Sequence, residues 1–228
     1  MDETEPPTPP GTGRSQRFVE ALAASLGAAP AARNDPPHTL LMVSGGLDSV
    51  GLLAALLDTT ECAVHAHHIE IDNVEERAAA EEDAISVVLP WLWEHSRPFE
   101  YTSSRWSFHV GWGGYDSSLA LFTAARLHQS LMSPFDYVVT GHRHPGITAE
   151  ETAECEAVLA AALTRTAHPP AWLTPLSGVR KSDISAWLPP ELVAAAWSCR
   201  RPAPTVDGYE ACGECHACRS LVDDSLGR

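Results

Sequence analysis

Two short stretches of this chain carry residue types at spacings that can do chemistry. The first is Ser44-Gly45-Gly46-Leu47-Asp48-Ser49, which follows the apolar run Thr39 to Val43 and leads directly into Asp48 to Leu57. Read as strand, tight turn and helix, it aims main-chain N–H groups and the positive end of a helix dipole at one spot, which suits phosphate. Gly45 and Gly46 let the backbone approach a ligand without a Cβ in the way. The hydroxyls of Ser44 and Ser49 can donate to phosphate oxygens, and Asp48 can hold a hydrated Mg²⁺ or brace the turn. Val43, Ser44, Gly45, Gly46, Leu47, Asp48, Ser49 and Val50 are therefore the expected nucleotide-binding residues. No Gly-Lys-Ser/Thr follows the glycines, which excludes a Walker A loop, and the dinucleotide pattern G-x-G-x-x-G is missing.

The second stretch is Cys212-x-x-Cys215-x-x-Cys218, with Cys199 upstream. These four thiols fall in a polar, proline-rich segment that has too few apolar residues to build its own core. A metal-stapled loop is the expectation, with tetrahedral Zn²⁺ leading and an iron–sulfur cluster as the rival. A closed four-cysteine site leaves no position for water, so its role is structural. Cys62 and Cys155 stand apart and read as buried small hydrophobes.

The elements that must position these groups alternate. Strands are expected at His38–Val43, Cys62–Ile71, Phe99–Ser103 and Asp136–Gly141, and helices at Gln16–Leu26, Asp48–Leu57, Asn73–Trp93, Tyr115–Leu131 and Thr148–Thr166. That order argues an α/β fold, a parallel sheet with helices on both faces, with ligands at the carboxyl edge of the strands. Residues 1–15 read as a disordered tail, 16–170 as the domain that carries the phosphate-binding turn, and 171–228 as a helical region ending in the cysteine cluster. Short helices are expected at Lys181–Leu188 and Glu191–Trp197, with loops from Cys199 onward. The acidic run Glu75 to Asp83 reads as a solvated helix face.

A formal net charge of −15 repels a phosphate backbone and argues against nucleic acid as a partner. No apolar run is long enough to span a membrane, and the acidic tail has no apolar signal segment, so a cytoplasmic location is expected. There the thiols stay reduced.

The hexapeptide resembles the PP-loop of the N-type ATP pyrophosphatases, which implies that it holds the β- and γ-phosphates that leave together. With Trp197-Ser198-Cys199, Cys212-Gly213-Glu214-Cys215-His216-Ala217-Cys218-Arg219, and Thr174-Pro175-Leu176 ahead of Lys181-Ser182-Asp183-Ile184, the chain resembles 7-cyano-7-deazaguanine synthase. That resemblance implies ATP and Mg²⁺ as cofactors and a structural Zn²⁺ on Cys199, Cys212, Cys215 and Cys218. It implies a deazapurine carboxylate as substrate and ammonia as acceptor, joined through an adenylate to give the amide and then the nitrile. By position in the motif, Lys181, the only lysine, would neutralise phosphate charge beside Asp48 as the second catalytic residue.

The chain departs from the family where substrate would sit. Tyr115-Asp116-Ser117-Ser118 replaces an Arg-Asn pair, and Gly141-His142-Arg143-His144 replaces a Tyr-Pro-Asp-Cys-Arg segment. His67, His68, Gly141, His142 and Arg143 are the expected substrate contacts; a His65/His67 metal pair lacks a third ligand. Such departures leave open an alternative in which the activated carboxylate passes to an amine of a partner protein, and a homodimer is a further partner. A tRNA thiolase would need a persulfide-carrying cysteine and a basic face, and neither is evident.

Overall fold

A computed structural model describes residues 16–108, 116–130, 134–142 and 148–225, the side chains only as far as residue 221. The expected tail, residues 1–15, lies outside the described residues. In chain order the elements are α1 (Gln16–Ala28), β1 (His38–Val43), α2 (Leu47–Thr59), β2 (Ala63–Asp72), α3 (Ala78–His95), β3 (Glu100–Ser107), α4 (Asp116–Ser130) and β4 (Tyr137–Val139). They continue with α5 (Ala149–Ala162), β5 (Ala171–Leu173), α6 (Lys181–Trp187), α7 (Pro190–Ala195), β6 (Ala203–Thr205), β7 (Gly208–Glu210) and α8 (His216–Ser225).

Strands β3-β2-β1-β4-β5 form a five-stranded sheet in that order, every pairing parallel. Parallel neighbours need crossovers, which the intervening helices supply on both faces. Strand β1 is buried on both sides. Leu41 and Val43 enter one core with α1, α2, α3, α6 and α7, while Leu40 and Met42 enter the other with α4 and α5. The chain winds outward from β1 to β3 and then returns to place β4 on the other flank of β1. The crevice between β1 and β4 is thus the topological switch point, where strand ends open to a ligand. The glycine-rich turn emerges there.

Several elements depart from expectation for local reasons. The helix expected from Asn73 starts at Ala78, because Asn73 Oδ1 accepts from Glu75 N at 2.9 Å and Glu76 takes a left-handed φ of 51°. Strand β3 runs four residues past the expected Ser103, held along its length by β2. The loops expected after Cys199 contain the β6–β7 hairpin and α8. The boundary expected at residue 170 falls just before β5, which is a strand of the sheet, and α6 and α7 place Ile184, Trp187, Leu188 and Leu192 in the sheet's own core. No described helix is long and apolar enough to cross a membrane.

Gly51 is what lets α6 sit on α2: a Cβ there would overlap Ile184 Cγ2 and touch Phe18 Cζ at 3.5 Å. Alanine in a helix interior normally stabilises relative to glycine. Here the sign should reverse. Gly51→Ala is expected to lower unfolding free energy by about 1–3 kcal/mol in denaturant titrations, the usual cost of overfilling a packed core.

Candidate functional site

Between β1 and α2 the chain makes a turn that nothing but glycine fits. Gly45 has φ of +75°, and a Cβ would come 3.0 Å from the Glu81 carbonyl oxygen. Gly46 is the extended N-cap residue of α2. Ser49 closes the turn on itself: its Oγ accepts from Ser44 N at 3.1 Å and donates to Gly46 O at 3.1 Å. Its hydroxyl proton is used inside the turn, so Ser49 braces the loop, whereas Ser44 is exposed and faces the cavity. The amides of Gly46 and Leu47 rest on the Ser44 and Ser198 hydroxyl oxygens at 3.4 and 3.3 Å. Both bonds are long, and an anion could displace them.

A strap from the C-terminal region holds this turn from outside. Trp197 N donates to Gly45 O at 2.9 Å, the Trp197 carbonyl oxygen would lie 3.3 Å from a Cβ on Gly46, and Trp197 Nε1 donates to Cys199 O at 2.9 Å. Directly behind the strap, the sulfurs of Cys199, Cys212, Cys215 and Cys218 all lie within 4.8 Å of one another. Main-chain N–H groups of Arg200, Arg201, Cys212, Glu214 and Cys215 point at these sulfurs at 3.2–3.4 Å. Burial pushes the Cys199 and Cys218 thiols up, and the Glu214 and Cys215 amides pull Cys212 down. A set of four converging sulfurs with donated N–H bonds has the donor chemistry to hold a thiophilic metal ion.

The turn opens on a cavity of about 280 Å³ that Val43, Ser44, Gly46, Asp48, Ser49, His67, Gly141, His142 and Lys181 all line. Lys181 at the start of α6 is 4% exposed, with Nζ 3.9 Å from Asp48 Oδ2. The structure therefore brings together the two residues expected to be catalytic. Gly141 abuts the start of α2, where a Cβ would lie 3.4 Å from Asp48 Cβ and from Ser49 N. His142 Nδ1 bonds Thr140 Oγ1 at 2.8 Å and Nε2 bonds Ser117 Oγ at 2.7 Å, while Trp172 Nε1 donates to the same Thr140 oxygen at 2.8 Å. Burial lowers the His142 pKa to about 4, so the ring is neutral at pH 7.

The histidines of β2 divide between the two faces of the sheet. His67 looks into the cavity, bonded to Thr102 Oγ1 at 2.7 Å and Ser104 Oγ at 2.9 Å, its pKa lowered to about 4 by burial and by its histidine neighbours. His65 spends both ring nitrogens on Glu100 and Thr102, so no metal pair forms with His67. His68 is turned away from the cavity: it bonds Val43 O at 2.8 Å on the other face, correcting its place among the substrate contacts. Arg143 lies outside the described residues.

One part of the cavity wall was not expected. Arg77 Nη1 donates to Glu81 at 2.7 Å and Nη2 to Asp116 at 2.5 Å, and Nε lies 2.9 Å from Glu75. Arg200 reaches the same Glu75 and Asp116 carboxylates at 2.9 and 2.7 Å. The segment expected to be a solvated face is thus folded inward at Glu75, Arg77 and Glu81. The Asn73 turn is the cause, since it swings the first residues before α3 toward α4. The four-residue spacing of Arg77 and Glu81 was the one local signal; Asp116 and Arg200 join only through the fold.

No family model and no curated protein matches this chain. Among solved structures it is similar to the U34-tRNA thiolase NcsA from Methanococcus maripaludis with its 4Fe–4S cluster: 14% identity, 92% of this chain and 72% of that one, TM-score 0.52. A thiolation-reductase di-domain from an archaeal non-ribosomal peptide synthetase matches at 10% identity and TM-score 0.33, over 69% of this chain and 32% of that one, too slight to use. The first likeness is one of fold alone, an α/β architecture.

Burial pushes the Glu81 pKa up to about 7, despite Arg77 beside it. The folded state then keeps a proton that the unfolded chain releases near 4.5, so Glu81 makes stability fall as pH rises from about 4.5 to 7. Glu81→Gln keeps a hydrogen bond to Arg77 without the charge. Urea midpoints of this variant are expected to lose that part of the slope between about pH 4.5 and 7.

Proposed function

We propose that this chain is an ATP-dependent C–N ligase that cleaves ATP between the α- and β-phosphates, forms an acyl adenylate, and aminates it. The carboxylate is that of 7-carboxy-7-deazaguanine and the acceptor is ammonia, giving the amide and then 7-cyano-7-deazaguanine. The observation that carries this reading is a buried lysine set against an aspartate over a glycine turn at the sheet's switch point.

Each chemical step asks for positioning and charge, with no protein nucleophile. A carboxylate oxygen attacks the α-phosphorus and pyrophosphate leaves. Amides of Gly46 and Leu47 turn from the Ser44 and Ser198 hydroxyls to the departing phosphates, and Lys181 balances the growing negative charge. Asp48, a carboxylate lining the cavity, fits a hydrated Mg²⁺, which would neutralise phosphate charge. Ammonia then attacks the acyl carbon, loses a proton, and AMP departs. For the nitrile, the amide oxygen attacks the α-phosphorus of a second ATP, pyrophosphate leaves with loss of one N–H proton, and departure of AMP with the second N–H proton forms the C≡N bond. Neutral His67 and His142, each held through both ring nitrogens, offer fixed ring surfaces that orient what enters the cavity.

The four-cysteine site supports Zn²⁺. Sulfur pairs Cys199/Cys212 and Cys215/Cys218 stand 3.5 and 3.4 Å apart. Tetrahedral Zn–S bonds of about 2.3 Å put sulfurs roughly 3.8 Å apart. In a 4Fe–4S cluster each thiolate binds its own iron of a multinuclear core, which requires a wider spread than four sulfurs within 4.8 Å of one another. A second reading, transfer to a protein amine, draws on the net charge of −15, which suits a basic protein partner.

With ATP, Mg²⁺, 7-carboxy-7-deazaguanine and ammonium, the chain is expected to release AMP and pyrophosphate and to form amide or nitrile, read by mass spectrometry. Lys181→Met and Asp48→Asn should each slow AMP release by about 10²-fold or more, the usual loss for an electrostatic group at the reacting centre. AMP production only upon addition of a protein partner would select the second reading, and none under either condition would reject both. Metal analysis should find about one zinc per chain, lost in Cys215→Ser. Because the strap sits on the cluster, that variant should also bind ATP more weakly by calorimetry; strong visible absorbance from iron would refute the zinc assignment.

A further inference from the structure

At the edge of the sheet opposite the glycine-rich turn, a cavity of about 660 Å³ lies among Arg33, Arg126, His128, Arg165 and His168. Its residues come from the segments ahead of β1, β4 and β5 and from the carboxyl ends of α4 and α5. No aspartate or glutamate lines it, in a chain whose net charge is −15. None of these residues lines the cavity at the turn.

The arginines are held in place more than they are neutralised. Arg126 Nη1 donates to Gln129 Oε1 at 2.7 Å, and Gln129 Nε2 donates onward to Ala162 O at 2.8 Å and Thr166 Oγ1 at 3.1 Å. That relay ties the guanidinium to the end of α5 through uncharged partners. Arg165 makes no hydrogen bond or ion pair among the described residues. Arg33 Nη2 donates to Phe135 O at 3.3 Å, and its Nε lies 3.7 Å from Asp136 Oδ1. Asp136 is outside the cavity wall, its oxygens taking Arg33 N, Asn34 Nδ2 and His38 N at 2.7–2.9 Å. Three guanidinium charges less this one carboxylate leave an excess of two.

Arginines near helix carboxyl ends often serve only to cap exposed carbonyls. On α5 those caps are already made. Ala161 O accepts from Thr164 Oγ1, Ala162 O from Gln129 Nε2, and Leu163 O from Thr166 N. His128, also in the wall, is 3% exposed and bonded to the His168 backbone, yet its Nδ1 has no partner among the described residues. A buried ring nitrogen left over beside a basic cavity is an independent sign of a polar ligand. Burial and, after it, the Arg33 charge lower the His128 pKa; a dianion in the cavity would act against the second.

We propose that this cavity binds a phosphate dianion, free or borne on a small organic group. Guanidinium forks match phosphate oxygens, and the excess of two positive charges matches the dianion. The volume is of the size that takes a small molecule. The site uses no residue of the adenylation reading and stands or falls apart from it.

The test is calorimetric titration of the full chain at about pH 7.5, where a phosphate ester is mainly dianionic. The probes are inorganic phosphate, ribose 5-phosphate and, as the uncharged control, ribose. Phosphates can also reach the glycine-rich turn, so the parent is compared with Arg126→Gln/Arg165→Gln and with Lys181→Met. The parent should take up at least one phosphate compound and no ribose. The double variant, altered at exposed positions, should bind it at least about tenfold more weakly through loss of charge-assisted hydrogen bonds, and Lys181→Met should keep the affinity. Tighter uptake of ribose 5-phosphate would identify an ester as the occupant, and tighter uptake of inorganic phosphate the free ion. No uptake of either, ribose binding as tightly as its phosphate, or a loss in Lys181→Met with none in the double variant would each overturn the proposal.

Discussion

Donor groups of a bare peptide turn must be held still before they can hold anything else. In this molecule the turn between β1 and α2 is held by its own Ser49 and by a strap from about 150 residues further along the chain, with Trp197 N donating to Gly45 O and Leu47 N donating to Ser198 Oγ. Each such bond contributes about 0.5–1.5 kcal/mol net, too little to fix a free strand of chain. What makes them effective is that Cys199 follows the strap directly, and its sulfur converges with three others on one point. A metal there would turn a floppy, proline-rich end into a wall of the cavity.

Charge is handled locally in a chain whose overall balance is −15. Its one lysine is buried at the mouth of the turn beside Asp48, and the dipole of α2 points the same way. Two arginines on the opposite wall are occupied by Glu75, Glu81 and Asp116, so they shape the cavity and neutralise its boundary. Buried ion pairs of this kind add little net stability, but removing one partner strands the rest. Their arrangement gives the cavity at the turn a polar, charged wall.

Legibility followed the range of the interactions. The turn, the first strand and the cysteine set could be read because each is a short pattern with a physical meaning of its own. Lys181 was identified by resemblance of its surrounding motif, since a single lysine on a helix end says nothing alone. The wall of Arg77, Glu81, Asp116 and Arg200 could not be read, because its members lie up to 123 positions apart and one Asn73 turn decides which way they face. His67 and His68 show the same limit: adjacent on a strand, they point to opposite faces, and only the depth of β2 in the sheet says which face carries the cavity.

The sequence by itself determined the backbone path at the glycine-rich turn, the alternation of strands and helices, and the supply of four thiols, because these depend on residues close in the chain. Tertiary structure alone decided that β5, α6 and α7 complete the main core and that a distant segment clamps the turn. Those outcomes depend on which faces bury against one another, a choice made by the whole core at once and encoded at no single position.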